Sequence, residues 1–357
     1  MKRKGVVLKM GAKNVFLSVA CMALAALLLF CRGEAAIGAG EGLRLCGGVV
    51  IPALFPFMFL VDFIAEARIS RAIGRALSPL FYRLFGFRGA AASAILLSFL
   101  GGYPVSARMA SALFESGDIS RQEAKSMLRF CVNSGPAFCI SALGGGMLGS
   151  IKAGVVIFLS AASASIIAGI LLRPRGKAIF AKAPIRCNRV SVGEAFCNAV
   201  ASSSWSVFSI CGYTILFSAF IAIARRFLPL AYLRPVLPLL EITSGLPLLG
   251  RCPIWLYAAY ISFGGFSVQF QLLRFSKPLG ISFWEIFKWR VVCSGLSAAI
   301  CFLALQFFPV SLPEAMASAP AFRSGQGNIA ASFCLFFSAF VALGFLGQTF
   351  QKKNQII

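Results

Sequence analysis

Residues 98–136 read SFLGGYPVSARMASALFESGDISRQEAKSMLRFCVNSGP, and this stretch contains two clusters that interrupt helices beside apolar sequence. An apolar segment ends at residues 101–104 (GGYP), a charged amphipathic helix follows, and a second apolar segment opens at residues 133–136 (NSGP). In the hydrocarbon core of a bilayer an unpaired backbone amide or carbonyl is costly, so a broken helix occurs only inside protein or beside a polar cavity. Membrane transporters place substrate sites at such breaks. A similar break recurs at residues 264–265 (GG), and we predict a polar site formed by the two breaks.

The composition indicates a membrane protein. Of the 357 residues, 59% are hydrophobic and only 13% are charged, whereas a soluble domain is about 45–50% apolar and about 25% charged. Uncharged stretches of about 20 residues recur along the chain, and a helix of that length crosses the roughly 30 Å hydrocarbon core. We therefore predict an all-α, polytopic membrane protein.

The net charge of +23 comes from 34 Lys and Arg residues against 11 Asp and Glu residues. On a soluble chain this excess would suggest nucleic-acid binding, but no groove-reading motif accompanies it. In a polytopic chain, basic residues in the loops set the topology and contact anionic lipid headgroups. We predict the lipid bilayer as a partner and no nucleic acid.

The residue types exclude most kinds of catalytic site. The chain has no histidine, which removes His-based zinc sites, His general bases and Ser-His-Asp triads. Its twelve cysteines form no C-x-x-C pair, and most lie in apolar runs, where a thiol behaves as a small buried hydrophobe. No P-loop or nucleophile elbow is present. We predict that the protein is not an enzyme and has no catalytic residue, metal site or cofactor.

The first apolar segment, 15–31, follows a basic stretch with no acidic residue. It is either an uncleaved anchor or a signal peptide, because the small residues at 35–39 would suit a peptidase. Either reading places the amino terminus in the cytoplasm. The charge-balanced segment 32–44 is then expected outside the membrane on the opposite side.

Further membrane spans are predicted from apolar runs between charged loops. The limb 89–100 is only twelve residues long, about 18 Å of helix, so we interpret it as half of a re-entrant hairpin. A full span over 88–108 is the alternative. The predicted spans are 15–31, 45–61, 130–151, 153–172, 205–224, 291–308 and 329–346.

The second half of the chain resembles the first, with matching motifs in the same order. The tripeptide GEA recurs at 33–35 and 193–195, and FLGGYPV at 99–105 aligns with SFGGFSV at 262–268. Each repeat would cross the membrane an odd number of times, so the two would be inverted. We divide the chain into a cytoplasmic tail and first anchor (1–32), repeat 1 (33–172), a basic cytoplasmic linker (173–193) and repeat 2 (194–357).

One observation opposes inversion. Inverted repeats would place six basic residues of the second half in outside loops, against the usual excess of basic residues in cytoplasmic loops. These residues are Arg225, Arg226, Arg234, Lys277, Lys288 and Arg290. A strong basic signal at the amino terminus can override weaker later signals.

The breaks supply unpaired backbone groups, and nearby amide, hydroxyl and aromatic side chains suit a small polar solute. The alternative is that Gly and Ser let helices approach closely, with Asn and Gln bonding across them. The candidate substrate-binding residues are Gly101, Gly102, Tyr103, Pro104, Asn133, Ser134, Gly135, Pro136, Glu241, Thr243, Ser244, Gly264, Gly265, Ser267, Gln269 and Gln271.

Two intramembrane acids allow more than one interpretation. Asp62 is either a carboxylate at a helix end, paired with Arg68, or a coupling-ion site. Glu241 is either part of the polar site or an interfacial residue paired with Arg251. The sequence leaves both alternatives open.

At these motifs the sequence resembles the sporulation integral membrane proteins of the YlbJ-like family, in the nucleoside-recognition or Gate domain group. It departs from the family pattern at Ser106, where Gly is usual, and at Val132, where a second Asn often stands. The segments that carry the resemblance are 49–60 (VVIPALFPFMFL), 98–107 (SFLGGYPVSA), 116–124 (SGDISRQEA), 131–138 (CVNSGPAF), 239–245 (LLEITSG) and 262–271 (SFGGFSVQFQ).

The resemblance implies a multi-pass protein of the bacterial inner membrane that contributes to spore cortex formation. Together with the predicted site it favours a transporter-like permease or a sensor for a small polar solute, nucleoside-like in the sense of the domain name. The alternative is a membrane scaffold for spore-envelope assembly that transports nothing. A homo-oligomer and other sporulation membrane proteins stay open as protein partners.

Overall fold

The computed structural model describes residues 12–67, 69–87, 89–173, 191–250 and 252–312. These ranges are helical and contain no β-strand. The α-helices are α1 (Ala12–Phe30), α2 (Arg32–Leu45), α3 (Ile51–Glu66), α4 (Ile69–Phe85), α5 (Ala90–Gly101), α6 (Tyr103–Glu115), α7 (Arg121–Phe130), α8 (Ile151–Leu171), α9 (Val192–Phe227), α10 (Leu230–Leu233), α11 (Leu237–Leu240), α12 (Ile242–Gly245), α13 (Ile254–Phe263), α14 (Gly265–Phe275) and α15 (Phe283–Phe307). Wider π-helical segments cover Cys46–Val50 and Ala137–Met147, and 3₁₀ turns cover Leu246–Leu248 and Lys277–Leu279.

Three of the described helices, α8, α9 and α15, are long and apolar enough to cross a membrane. Two bent helix pairs raise this number to five if each pair forms one span. One pair is α1 with α2, bent by 89°, and the other is α4 with α5, bent by 83°. The all-α membrane architecture predicted from the sequence is confirmed.

Most predicted spans coincide with helices. Segment 130–151 is not one continuous helix: α7 ends at Phe130, residues 131–135 are not helical, and helical structure resumes at Pro136 and continues as the π-helix Ala137–Met147. Pro136 lacks the N–H that a continuous helix needs, which explains the interruption. Segment 32–44, which the sequence predicts outside the membrane, forms helix α2. The predicted span 329–346 and residues 174–190 of the basic linker lie outside the described residues.

Helix α2 packs closely along α9 through two glycines. A Cβ atom at Gly38 would lie 2.5 Å from the carbonyl oxygen of Ser218, and one at Gly42 would lie 2.8 Å from the Cα atom of Ile215. Small residues that let helix backbones approach are typical of membrane helix pairs. This contact holds the start of the chain against the second half.

Helix α7 begins as its sequence predicts. The Ser120 hydroxyl accepts from the Glu123 amide at 3.2 Å, and the Glu123 carboxylate accepts from the Ser120 amide at 2.7 Å. This capping box satisfies two amides at the helix start. Ser282 caps α15 in a similar way by accepting from the amide of Glu285 at 3.2 Å, so a serine followed by a glutamate at the same spacing starts a helix in each half of the chain.

Candidate functional site

The first helix break lies at Gly102, between α5 and α6. Its backbone angles are φ 85° and ψ −170°, a region that is essentially restricted to glycine. Pro104 stands in the first turn of α6, where its missing N–H costs no helical hydrogen bond. The predicted re-entrant turn at residues 101–104 therefore coincides with a true interruption of the helix.

Segment 131–136, whose first five residues are not helical, crosses this break at close range. A Cβ atom at Gly135 would lie 2.8 Å from the carbonyl oxygen of Leu100, and one at Gly102 would lie 3.2 Å from the Gly135 nitrogen. Only glycine at both positions lets the two backbones approach this closely. The GGYP and NSGP motifs, which α6 and α7 separate along the chain, thus form one contact.

The second break lies at Gly264 and Gly265, between α13 and α14. Both residues have positive φ, 84° and 71°. A Cβ atom at Gly265 would lie 3.1 Å from the carbonyl oxygen of Pro238 and 3.5 Å from those of Leu239 and Leu240. The carbonyl end of α11, just before the extended residue Glu241, therefore lies against this break.

The two breaks are in direct contact. The Tyr103 hydroxyl donates a hydrogen bond to the carbonyl oxygen of Ile261, in the last turns of α13. The Tyr103 ring lies 3.4 Å from the position that a Cβ atom of Gly264 would occupy. The predicted pair of facing breaks is therefore present among the described residues.

Arg290 also connects the two broken regions. Its guanidinium donates to the carbonyl oxygens of Val132, of Arg129 at 3.1 Å and of Ser262 at 3.4 Å. It therefore binds the end of α7, the start of the first crossing segment and the helix before the second break. The sequence placed Arg290 in a loop, and this was wrong: the residue lies inside α15 and is 1% exposed.

A small cavity lies where the breaks meet, with a volume of about 40 Å³. Nine predicted site residues line it: Gly101, Gly102, Tyr103, Pro104, Ser134, Gly135, Glu241, Thr243 and Gln271. Val50, Leu54, Phe138, Ile210, Ile242 and Val268 complete the lining. The other seven predicted residues, Asn133, Pro136, Ser244, Gly264, Gly265, Ser267 and Gln269, lie outside the lining, and all but the half-buried Pro136 are buried.

Several buried polar side chains at the breaks have no hydrogen-bond partner among the described residues. They include the amide nitrogen of Asn133, the hydroxyls of Ser134 and Ser267, and both side-chain amide atoms of Gln269. An unsatisfied buried polar group costs about 1–3 kcal/mol. The concentration of such groups at the two breaks makes this region the candidate functional site.

Glu241 is the acid of this site, 2% exposed and located between α11 and α12. Its Oε2 atom accepts from the Ser244 amide at 2.5 Å and from the Ser244 hydroxyl at 2.6 Å. No described Lys or Arg forms an ion pair with it. Arg251, the alternative partner suggested by the sequence, lies outside the described residues.

Asp62 forms a separate buried network that the sequence did not predict. Its Oδ1 atom lies 3.1 Å from the guanidinium of Arg108, which also donates to the hydroxyls of Ser202 and, at 2.5 Å, Ser206. The network joins α3, α6 and α9. Arg68, the partner suggested by the sequence, lies outside the described residues. Because the helices that carry these residues are far apart in the chain, no local pattern signals this network.

Comparison with known proteins agrees with this geometry. Residues 48–151 match the Gate family, described as nucleoside recognition, and this range includes the first break and its crossing segment. The chain is 25% identical over 313 residues to the sporulation integral membrane protein YlbJ of Bacillus subtilis (strain 168), covering 74% of this chain and 76% of that protein. No solved structure matches the chain. The resemblance drawn from the motifs is therefore confirmed: this multi-pass membrane protein is similar to YlbJ, and its residues 48–151 are similar to the Gate family.

Proposed function

We propose that this protein is a permease for a small polar solute, bound between the two helix breaks, and not an enzyme. The name of its relative YlbJ supports a role in sporulation, and the description of the Gate family supports a nucleoside as the first solute to test. The observation that carries the proposal is the set of buried, unpartnered polar side chains at the breaks.

The side chains at the site suit binding without chemistry. Asn133, Ser267 and Gln269 present amide and hydroxyl groups, which donate and accept hydrogen bonds but transfer no proton near neutral pH. Apart from Tyr103, whose hydroxyl donates to the carbonyl oxygen of Ile261, no titratable side chain lines the cavity with Glu241 to complete an acid–base pair. Binding and release are what this group of residues supports.

The volume of the cavity indicates how the permease would work. Pockets for small molecules measure about 300–1,000 Å³, whereas this cavity measures about 40 Å³ and has room for water or a small ion. A nucleoside-sized solute therefore requires the two breaks to move apart. The structure then represents a closed conformation, and alternating access would follow from separating the two elements on one side at a time.

An uptake experiment tests the permease directly. Full-length protein in liposomes is expected to accumulate tritiated uridine, or another labelled polar solute of a panel, and Asn133→Ala and Gln269→Ala are each expected to lower uptake about tenfold, the equivalent of one hydrogen bond. Asn198→Ala and Gln122→Ala are matched controls, because both residues are exposed on α9 and α7.

The same experiment separates the permease from a scaffold for spore-envelope assembly. No uptake of any solute in the panel by well-folded protein, together with normal sporulation of the Asn133 and Gln269 variants, would favour the scaffold. Uptake that is equal in site variants and controls would place the solute elsewhere.

We also propose that the amino terminus is cytoplasmic and that the two repeats are inverted. The aligned motifs at 99–105 and 262–268 and the helix caps Ser120 and Ser282 are separated by nearly the same distance along the chain, and this supports a repeat. Arg290 is buried in α15, so it is not one of the basic loop residues whose position opposes inversion. Two units of odd span number inserted in sequence would face opposite sides of the membrane.

Cysteine labelling in intact spheroplasts tests the orientation. In a background whose native cysteines are replaced by alanine, Lys277→Cys is expected to react with a membrane-impermeant maleimide from outside. Lys182→Cys, in the basic linker, is expected to react only after permeabilisation. Labelling of Lys277→Cys only after permeabilisation would contradict inversion.

A further inference from the structure

We propose that the cavity between the two breaks binds a monovalent metal cation on the carboxylate of Glu241. The proposal deepens the permease function proposed above and rests on it, because a cation bound between the breaks would link solute movement to an ion gradient. It concerns a ligand different from the solute, and it can be tested without a transport measurement.

The carboxylate of Glu241 has no basic partner among the described residues. Glu241 is buried, forms no ion pair with a described Lys or Arg, and lines a cavity with no basic residue in its lining. Arg290 is held by backbone carbonyls and is not a lining residue. A buried carboxylate is costly without a positive partner, so a proton or a metal ion completes it.

The space beside Glu241 favours a metal ion over a proton. A proton needs no space, whereas the 40 Å³ beside Glu241 accommodate an ion with a water molecule. Ser134, Thr243 and Gln271 also line the cavity, and their side chains carry oxygen atoms of the kind that hard cations prefer. Ser134 is 1% exposed, and its hydroxyl has no hydrogen-bond partner among the described residues.

The net charge of the cavity lining favours a monovalent cation over a divalent one. Helix α5 ends and helix α6 begins at this cavity, so their opposite partial charges of about one half each largely cancel. The net charge of the lining is then that of a single carboxylate. One negative charge is matched by one monovalent cation, whereas Ca²⁺ sites in proteins draw on more acidic ligands.

Thermal unfolding of the full-length protein in detergent tests the site, with Na⁺ as the probe and choline chloride keeping the ionic strength constant. Because a ligand that binds only the folded state stabilises it, Na⁺ is expected to raise the unfolding midpoint by several degrees in a saturable manner. The shift should be absent from Glu241→Gln, whose side-chain oxygen can still accept the bonds from Ser244 without a charge. Ser134→Ala should raise the half-saturating Na⁺ concentration about tenfold, the equivalent of one lost ligand contact.

Glu194→Gln is the matched control, because Glu194 is exposed in the first turn of α9, and it should keep the full Na⁺ shift. If Glu241→Gln does not fold, binding of ²²Na⁺ to wild type and its weakening in Ser134→Ala replace the comparison. A Na⁺ shift retained in Glu241→Gln, or a stability that responds to pH but not to Na⁺, would overturn the proposal. Uptake by a protein that shows no Na⁺ shift would overturn the cation site alone, and Na⁺ binding through Glu241 without any uptake would overturn the permease alone.

Discussion

Replacing Arg290 with methionine is expected to lower the free energy of unfolding by about 3 kcal/mol. The guanidinium donates to the carbonyl oxygens of Arg129, Val132 and Ser262, which lie where two helices are interrupted. Methionine fills a similar volume but offers no donor, so buried carbonyls lose their partners, each at a cost of about 1–3 kcal/mol. Part of this loss is offset because a buried charge is removed.

Unfolding of the detergent-solubilised protein by titration with a denaturing detergent measures the effect. Arg290→Lys is expected to give an intermediate loss, since an ammonium keeps the charge but not the planar fork that reaches several acceptors. Arg226→Met serves as control: Arg226 pairs with Glu34 at an exposed site, where an ion pair contributes little. Wild-type stability of Arg290→Met would contradict the conclusion that this residue holds the two breaks together.

Replacing Gly102 with alanine is expected to abolish uptake and to lower stability. Its backbone angles, φ 85° and ψ −170°, cost about 1–3 kcal/mol for any residue with a Cβ atom. That Cβ atom would also lie 3.2 Å from the Gly135 nitrogen, which is backbone and cannot rotate away. The protein therefore either unfolds locally or displaces segment 131–136, and in both cases the cavity changes shape.

Gly212→Ala is the matched control, because a Cβ atom at Gly212, in the middle of α9, meets nothing within 4 Å. Alanine is the better helix former by about 1 kcal/mol, so this variant should be at least as stable as wild type and should transport normally. Both variants are compared by thermal unfolding and by uptake in liposomes. Normal uptake by Gly102→Ala would show that the geometry of the first break is not required for transport.

The helix breaks could be predicted from sequence because their causes are local. Gly102 and Gly264 stand in apolar runs beside residues that start new helices, and the Ser120–Glu123 cap has a fixed spacing. The positions of both breaks were predicted correctly, and the cap follows from its spacing. The NSGP motif at residues 133–136 likewise interrupts segment 130–151, where helical structure resumes at Pro136.

What could not be predicted depends on contacts between distant residues. Arg290 stands at the edge of an apolar run, and basic residues at such edges usually belong to loops. Only the structure shows that the carbonyls freed at Val132 and Ser262 surround it and, together with Arg129 and Cys293, accept its N–H donors. The Asp62–Arg108 pair likewise joins helices whose contact no periodicity reveals.

The hydrogen bond from Tyr103 to Ile261 and the bonds from Arg290 to Val132 and Ser262 have a mechanical consequence. Neither interrupted helix can swing without pulling on a backbone oxygen that belongs to the other. A displacement at one break is thereby transmitted to the other break. This linkage is what a carrier needs if it is never to leave a continuous leak from one compartment to the next.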